Sequence, residues 1–152
     1  NKFCTLFLKL MTHSSSGRIY PLYALLIPFI LYQGVLIVKI GVIGFAFQVP
    51  FYMVTKNIIK RQRPSISDGI HCLIAPPDKY SFPSGHCASS MLFMLIVTQY
   101  IPSITIYFMI WVIIIFFSRI ALGLHYLSDA ISGIFLGYIS FYIARQAYQI
   151  FF

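Results

Sequence analysis

The stretch SFPSGHCASSMLFMLIV, residues 81–97, joins a polar turn directly to an apolar run. A proline stiffens the turn, and Ser84 offers a hydroxyl group. Gly85 lets the backbone approach a ligand closely, and His86 titrates near neutral pH. The pattern predicts a helix that begins at a chemically active turn and continues into hydrophobic surroundings.

The rest of the chain is equally apolar. Of its 152 residues, 59% are hydrophobic and 9% are charged, and the mean hydropathy is +0.85. A soluble domain usually carries about 25% charged residues, so a soluble core does not account for this composition. We therefore expect one all-α domain over residues 1–152, a polytopic bundle of transmembrane helices.

Five apolar stretches are long enough to be membrane spans. They cover residues 19–38, 40–59, 84–101, 104–122 and 126–147. Residues 1–18 are too short to cross alone and form either an interfacial segment or the end of a truncated helix, which gives five to six spans. Residues 60–82 are polar and rich in proline, as is typical of a loop.

Counting the membrane crossings places the polar features on one surface. The loop 60–82 leads into the span that starts at the histidine turn, and the turn at residues 102–103 lies on the opposite surface. Residues 118–126 then return to the first surface. We expect an active site at helix ends on one membrane face, with 60–82 as its loop.

The charge balance restricts the ligands. Eleven Lys and Arg residues outnumber three acidic residues, which gives a formal net charge of +8. The acids are Asp68, Asp78 and Asp129, too few for the carboxylate cluster that a hard cation requires. We expect no metal and no cofactor. The basic excess favours a phosphate or a lipid headgroup, whereas nucleic acid fits poorly because the charge lies at the ends of membrane helices.

The three cysteines, Cys4, Cys72 and Cys87, lack the spacing of metal ligands. They are interpreted as small buried apolar residues. A disulfide between Cys72 and Cys87 stays open, because it requires an oxidising compartment.

Three cations and one helix start predict a site for a phosphate. Lys56 and Arg63 are seven residues apart, about two helical turns, so their side chains can align. Arg119 adds a third cation, and the arginine fork matches phosphate oxygens. Ser84 and Gly85 open a helix whose unpaired N–H groups and dipole attract anions.

Two histidines supply the chemistry of phosphoryl transfer. His125 and Asp129 are i and i+4, so they are neighbours on one helical face. A carboxylate beside an imidazole fixes its tautomer and makes the other ring nitrogen a better nucleophile. His86 lies on a separate element, where it can protonate a leaving group.

Each of these residues also has a structural interpretation. The basic cluster 60–63 would orient the chain or contact lipid headgroups, and Ser84 would be a helix cap. Arg119 and Asp129 would form an ion pair, and His125 would be a satisfied core histidine. The remaining polar candidates are interpreted as loop and turn residues: His13, His71, Asp68 and Asp78. We prefer catalysis because every candidate reaches one membrane face.

The motifs Lys56-x6-Arg63-Pro64, Pro83-Ser84-Gly85-His86 and Ser118-Arg119-x5-His125-x3-Asp129 stand in this order over residues 56–129. Together they resemble the three-part signature of the type 2 phosphatidic acid phosphatase, or lipid phosphate phosphatase, superfamily.

The resemblance implies a metal-free hydrolase. It implies that His125 attacks phosphorus to form a phosphohistidine, that Asp129 orients it, and that His86 protonates the leaving oxygen. It assigns the phosphate to five residues: Lys56, Arg63, Ser84, Gly85 and Arg119. It also implies a multi-pass protein of the bacterial inner membrane with a periplasmic site. The distribution of positive residues opposes that orientation, because such residues usually stay cytoplasmic.

The implied substrate is a lipid phosphate. Undecaprenyl diphosphate and phosphatidylglycerol phosphate are preferred over phosphatidate and a lipid A phosphate, and the oligomeric state is left open. One alternative is a relative of the vanadate-dependent haloperoxidases, although those enzymes are soluble. The other is a non-catalytic membrane protein that binds or transports anionic lipids, which would need the cations but not the two histidines.

Overall fold

The computed structural model describes residues 2–67, 73–76 and 78–152. Within them the chain forms seven α-helices, one 3₁₀ turn and no strand, as predicted for an all-α protein. The helices are α1 (Lys2–Ser14), α2 (Tyr20–Ile30), α3 (Gly34–Ile59), α4 (Pro64–Ser67), α5 (Gly85–Tyr100), α6 (Thr105–Ala121) and α7 (Leu127–Phe151), and the 3₁₀ turn, Pro102–Ile104, precedes α6.

Three segments of the described chain are long and apolar enough to cross a membrane. They are Gly34–Ile66, Pro102–Ala121 and Leu127–Phe151. Helix α2 is apolar but only 11 residues long, and α5 has 16 residues, about 24 Å at 1.5 Å per residue. The five predicted spans therefore all correspond to helices, but α2 and α5 are shorter than a full hydrocarbon core of about 30 Å, and α6 reaches that length only together with the 3₁₀ turn before it.

The boundary between the first two predicted spans was wrong. The chain reverses after Ile30, and α3 already begins at Gly34, so Lys39 lies inside α3 and not in a turn. A Cβ at position 34 would collide with the carbonyl oxygen of Ile27. This glycine therefore permits a tight reversal inside what reads as one continuous apolar run.

Helix α2 covers only half of the bundle. The Tyr20 ring at its start packs on Phe45 at 4.7 Å and on Phe93 at 5.5 Å, and these two residues lie near the middle of α3 and α5. The other half is flanked by α1, where the Thr12 and Ser118 hydroxyls are 2.7 Å apart. Residues of α1, α2, α3 and α5 line the space between these helices.

Helices α5 and α7 pack closely because α7 presents small residues. A Cβ at Gly137 would collide with the carbonyl oxygen of Ala88 and lie 2.7 Å from the Met91 Cβ. A Cβ at Gly133 would lie 2.5 Å from the carbonyl oxygen of Ser84. Small residues four apart let membrane helices approach closely. The start of α5 is thereby held against α7.

Candidate active site

A cavity of about 1300 Å³ opens between α1, α2, α3 and α5 and reaches the corner after α6. Six of the eight predicted site residues line it: Lys56, Arg63, Gly85, His86, Arg119 and His125. The other two, Ser84 and Asp129, are fully buried. The three motifs thus meet around one space, although they come from separate helix ends.

The corner between α6 and α7 positions His125. Gly123 has a positive φ of 72°, a conformation that favours glycine. The turn lets the backbone N–H groups of Leu124 and His125 both donate to the carbonyl oxygen of Arg119, at 3.2 Å each. It also brings the His125 Nε2 within 3.3 Å of a terminal guanidinium nitrogen of Arg119.

Asp129 lies on the opposite side of the same imidazole. Its Oδ2 accepts the Tyr126 backbone N–H at 2.9 Å and is 3.7 Å from His125 Nδ1. That separation is longer than a hydrogen bond, and a shift of about 1 Å would close it. Nδ1 therefore faces a carboxylate and Nε2 faces the guanidinium of Arg119, and His125 and Arg119 both line the cavity. Nε2 is thus the ring nitrogen on the side of the cations.

His125 is neutral at physiological pH. Its burial is the main cause that lowers its pKa, to about 4, and the charges of Arg119, Arg63 and Lys56 act in the same direction. The Asp129 carboxylate opposes them. A neutral imidazole has a lone pair to offer, as a nucleophile requires.

Arg61 belongs to this site, although the sequence suggested only a juxtamembrane role for its cluster. One of its terminal nitrogens donates to Asp129 Oδ1 at 2.8 Å and to the Ser128 hydroxyl at 2.6 Å. Its guanidinium lies 4.1 Å from the centre of the Tyr126 ring. Asp129 therefore has Arg61 as an ionic partner, where the structural alternative expected Arg119.

The start of α5 presents an unused hydroxyl. Ser84 has the extended backbone of a cap residue, but its side chain makes no capping bond. Its Oγ is buried beside the Cys87 thiol, a weak partner, and makes no hydrogen bond of standard geometry among the described residues, while its N–H donates to the carbonyl oxygen of Asp129 at 3.0 Å. An unpaired buried hydroxyl costs about 1–3 kcal/mol. A ligand anion at this helix start would remove that cost.

His86 and Gly85 occupy the first turn of α5. Both line the cavity. A Cβ at Gly85 would meet only the Tyr52 ring at 3.6 Å, an ordinary contact. The packing of the protein itself therefore does not require glycine at this position.

The two cations of the first motif are already paired with a carboxylate. Lys56 Nζ lies 2.8 and 2.7 Å from the two carboxylate oxygens of Asp78, and a terminal nitrogen of Arg63 lies 2.7 Å from Oδ1. Asp78 was predicted to be a turn residue, so its contact with the two cations was not foreseen. The one sequence feature that pointed towards such a contact was the position of Asp78 in the polar loop, residues 60–82.

Asp78 is ionised at neutral pH. Burial alone would raise its pKa, but the hydrogen bonds and charges of Lys56 and Arg63 outweigh burial and hold the pKa below its usual range. The Asp78 side chain is 38% exposed, whereas those of Lys56 and Arg63 are 8% and 0% exposed. The carboxylate therefore lies on the outer side of the two cations.

Several other predictions concern residues at the margin of the site. His13 lies in the last turn of α1 and lines the cavity, so it is not a loop residue. Cys87 is a buried free thiol, as expected, whereas Cys4 is exposed, contrary to expectation. Three residues lie outside the described part of the chain: Asp68, His71 and Cys72. Within residues 2–67, 73–76 and 78–152, no cluster of three or more His, Cys, Asp or Glu side chains could hold a metal ion.

Comparison with known proteins decides the family. The model of the PAP2 superfamily matches residues 21–151 of this chain. The chain belongs to the PAP2 superfamily. The resemblance drawn from the three motifs is thereby confirmed, as are the expected membrane protein and the expected class of enzyme, a phosphatase.

Two solved PAP2 structures share the fold. The transmembrane PAP2 type phosphatidylglycerolphosphate phosphatase from Bacillus subtilis has a TM-score of 0.78 and 19% sequence identity, over 100% of this chain and 80% of its own. LpxE from Aquifex aeolicus has a TM-score of 0.81 and 22% identity, over 96% of this chain and 87% of its own. At these identities the likeness concerns the fold.

Proposed function

We propose that this PAP2 protein hydrolyses the phosphate monoester or diphosphate headgroup of a membrane lipid through a phosphohistidine. The observation that carries the proposal is the shape of the cavity. It joins the cations and histidines of the three motifs to an apolar wall that includes Ile37, Phe45 and Ile96. A lipid can place its headgroup among the cations while its tail stays in hydrophobic surroundings.

In the proposed first step, His125 Nε2 attacks the phosphorus atom. The N–P bond forms as the bond to the leaving oxygen breaks, and His86 donates a proton to that oxygen. Asp129 stabilises the positive charge that develops on the imidazole. The products are a phosphohistidine and a lipid hydroxyl, or a lipid monophosphate if the substrate is a diphosphate.

In the second step, water cleaves the phosphohistidine. His86, now unprotonated, accepts a proton from the water as its oxygen bonds to phosphorus, and the N–P bond breaks. Inorganic phosphate leaves, and both histidines return to their initial states. Lys56, Arg63 and Arg119 supply the positive charge that a metal ion provides in other phosphatases, so we propose a metal-independent reaction.

The cavity favours substrates with a second anionic group. Besides the motif residues, three basic or titratable residues from the α1 side line it: Lys9, His13 and Arg18. Uncompensated charge in membrane surroundings is costly and suggests a ligand. Undecaprenyl diphosphate and phosphatidylglycerol phosphate both carry a second anionic phosphate, whereas phosphatidate does not. We also propose the periplasmic face of a bacterial inner membrane as the location of the site.

The test combines a lipid panel with a cavity variant. Gly41 lines the cavity, and a Cβ there would meet nothing within 4 Å, so Gly41→Leu should fold and shorten the space for a tail. We expect the purified protein to release phosphate from the two preferred lipids faster than from phosphatidate. Gly41→Leu should lower kcat/KM about tenfold or more on long-chain lipids and leave a water-soluble aryl phosphate almost unaffected.

His125→Ala is the control for contaminating phosphatases. Phosphate release that survives this substitution would contradict the proposed nucleophile. An equal loss of kcat/KM on lipid and aryl substrates in Gly41→Leu would contradict the proposal that the lipid tail lies in the cavity beside Gly41.

A further inference from the structure

We propose that Asp78 is an exchangeable internal anion that occupies the phosphate position and must be displaced by the substrate. The inference rests on the proposed function, because it requires Lys56 and Arg63 to be phosphate ligands. Its starting point is that one carboxylate contacts both cations at 2.7–2.8 Å. These are the oxygen positions that a phosphate would use.

The two cations do not depend on this carboxylate for their orientation. Arg63 Nε donates to the backbone carbonyl oxygen of Asp78 at 2.9 Å, and another guanidinium nitrogen donates to that of Leu124 at 2.6 Å. Lys56 Nζ also donates to the backbone carbonyl oxygen of Tyr80 at 3.1 Å. These backbone contacts can persist when the carboxylate rotates away, so the site would stay assembled for the incoming phosphate.

The Asp78 carboxylate lies where it can rotate away from the two cations. Its exposure of 38%, against 8% and 0% for the two cations, places it towards solvent. A rotated carboxylate would be hydrated there, whereas both cations would remain buried. Phosphate can replace it because a monoester carries about −1.5 to −2 charge near pH 7 and presents three oxygens.

The Asp78 carboxylate would compete with every anion that binds to Lys56 and Arg63, so that only tightly binding anions occupy the site. If the carboxylate closes the site for most of the time, every anion binds more weakly by the same factor, the inverse of the open fraction. Weakly bound phosphodiester headgroups, each with a single charge, would then fail to occupy the site. Phosphomonoesters, which bind more tightly, would still do so. Asp78 would set how tightly an anion must bind to occupy the site, without changing the ratio of affinities between anions.

The experiment measures anion binding to the purified full chain at pH 8. The probes are inorganic phosphate, a dianion at this pH, and dimethyl phosphate, a monoanion, with calorimetry and thermal unfolding as readouts. We expect Asp78→Asn to bind both probes about tenfold more tightly, by similar factors, because the same closing equilibrium is removed.

The outcomes separate the two proposals. Weaker or unchanged phosphate binding in Asp78→Asn would mean that the carboxylate only positions the cations, and would overturn the exchange. A much larger gain for the dianion than for the monoanion would indicate a fixed repulsion, and would also overturn it. If neither the wild type nor the variant binds phosphate, the phosphate site of the proposed function is itself wrong.

Loss of stability does not prevent the test. If Asp78→Asn unfolds too readily for calorimetry, exchange predicts that phosphate raises its unfolding temperature more than that of the wild type, because the ligand stabilises the folded state in proportion to its affinity. Asp78→Ser, with a shorter neutral side chain, should behave in the same way. A smaller phosphate-dependent shift in both variants than in the wild type would contradict the proposal.

Discussion

Gly137→Ala tests whether the close contact between α5 and α7 sets the geometry of the site. The added Cβ would collide with the carbonyl oxygen of Ala88 and lie 2.7 Å from the Met91 Cβ. Carbon atoms in contact are usually about 3.5–4.0 Å apart, so α5 has to move by about 1 Å. His86 lies two residues before Ala88 on the same helix and would move with it.

Two effects of opposite sign determine the stability change. Overpacking typically costs about 1–3 kcal/mol, whereas the higher helix propensity of alanine returns up to about 1 kcal/mol. The net loss of about 1–2 kcal/mol should lower the unfolding temperature by roughly 2–8 °C in a chain of this length. A displacement of about 1 Å at a catalytic group can cost about 100-fold in rate, so kcat should fall by about one to two orders of magnitude.

The assay is thermal unfolding in detergent together with turnover of a lipid phosphate. Gly41→Ala is the matched control for stability, because it is also a helical glycine but its Cβ would meet nothing within 4 Å. It should be neutral or slightly stabilising. If Gly137→Ala is as stable and as active as wild type, helix contact does not set the position of His86, and the reasoning fails.

Two further predictions concern the histidines. His125→Ala should lose turnover on every substrate. His86→Ala should lose far more activity on a lipid monophosphate than on an activated aryl phosphate, whose leaving group needs no proton. Equal losses of activity on both substrates in His86→Ala would contradict the role of His86 as an acid. Burial lowers the pKa of His125 to about 4 from an ordinary 6.5. As the pH decreases, His125 is therefore protonated in the unfolded chain before it is protonated in the folded protein. The unfolding free energy should fall as the pH decreases from 6.5 to 4. Denaturant unfolding at several pH values measures that slope, which should be shallower in His125→Asn.

The motif spacings predicted which residues meet, although not always for the right reason. His125 and Asp129 are i and i+4, but His125 precedes the cap residue Tyr126 of α7, so their proximity follows from the turn that leads into the helix and not from one helical face. Lys56 and His86 come from different helices, but both lie at ends that the crossing count assigns to one face. The cavity that both line agrees with this inference.

The missed contacts depend on loop conformation, which the sequence does not reveal through periodicity. Lys60 ends α3 with a left-handed backbone, φ 50°, an uncommon state for a residue other than glycine. That turn redirects the chain, and the next residue, Arg61, contacts Asp129. The contacts of Asp78 depend in the same way on the fold of the polar loop. Apolar periodicity also cannot locate a reversal within one hydrophobic run, as happened before Gly34.

The two carboxylates of the site show why residue type alone cannot assign a role. Asp78 and Asp129 each pair with an arginine of the short segment 61–63, at 2.7 and 2.8 Å. Asp129 is fully buried and accepts the N–H that begins α7, so breaking its pair would strand a charge inside the protein, at considerable cost. Asp78 is 38% exposed and can exchange protein contacts for water. We therefore propose different purposes for these similar ion pairs: the buried carboxylate orients His125, the proposed nucleophile, and the exposed one yields its cations to a phosphate.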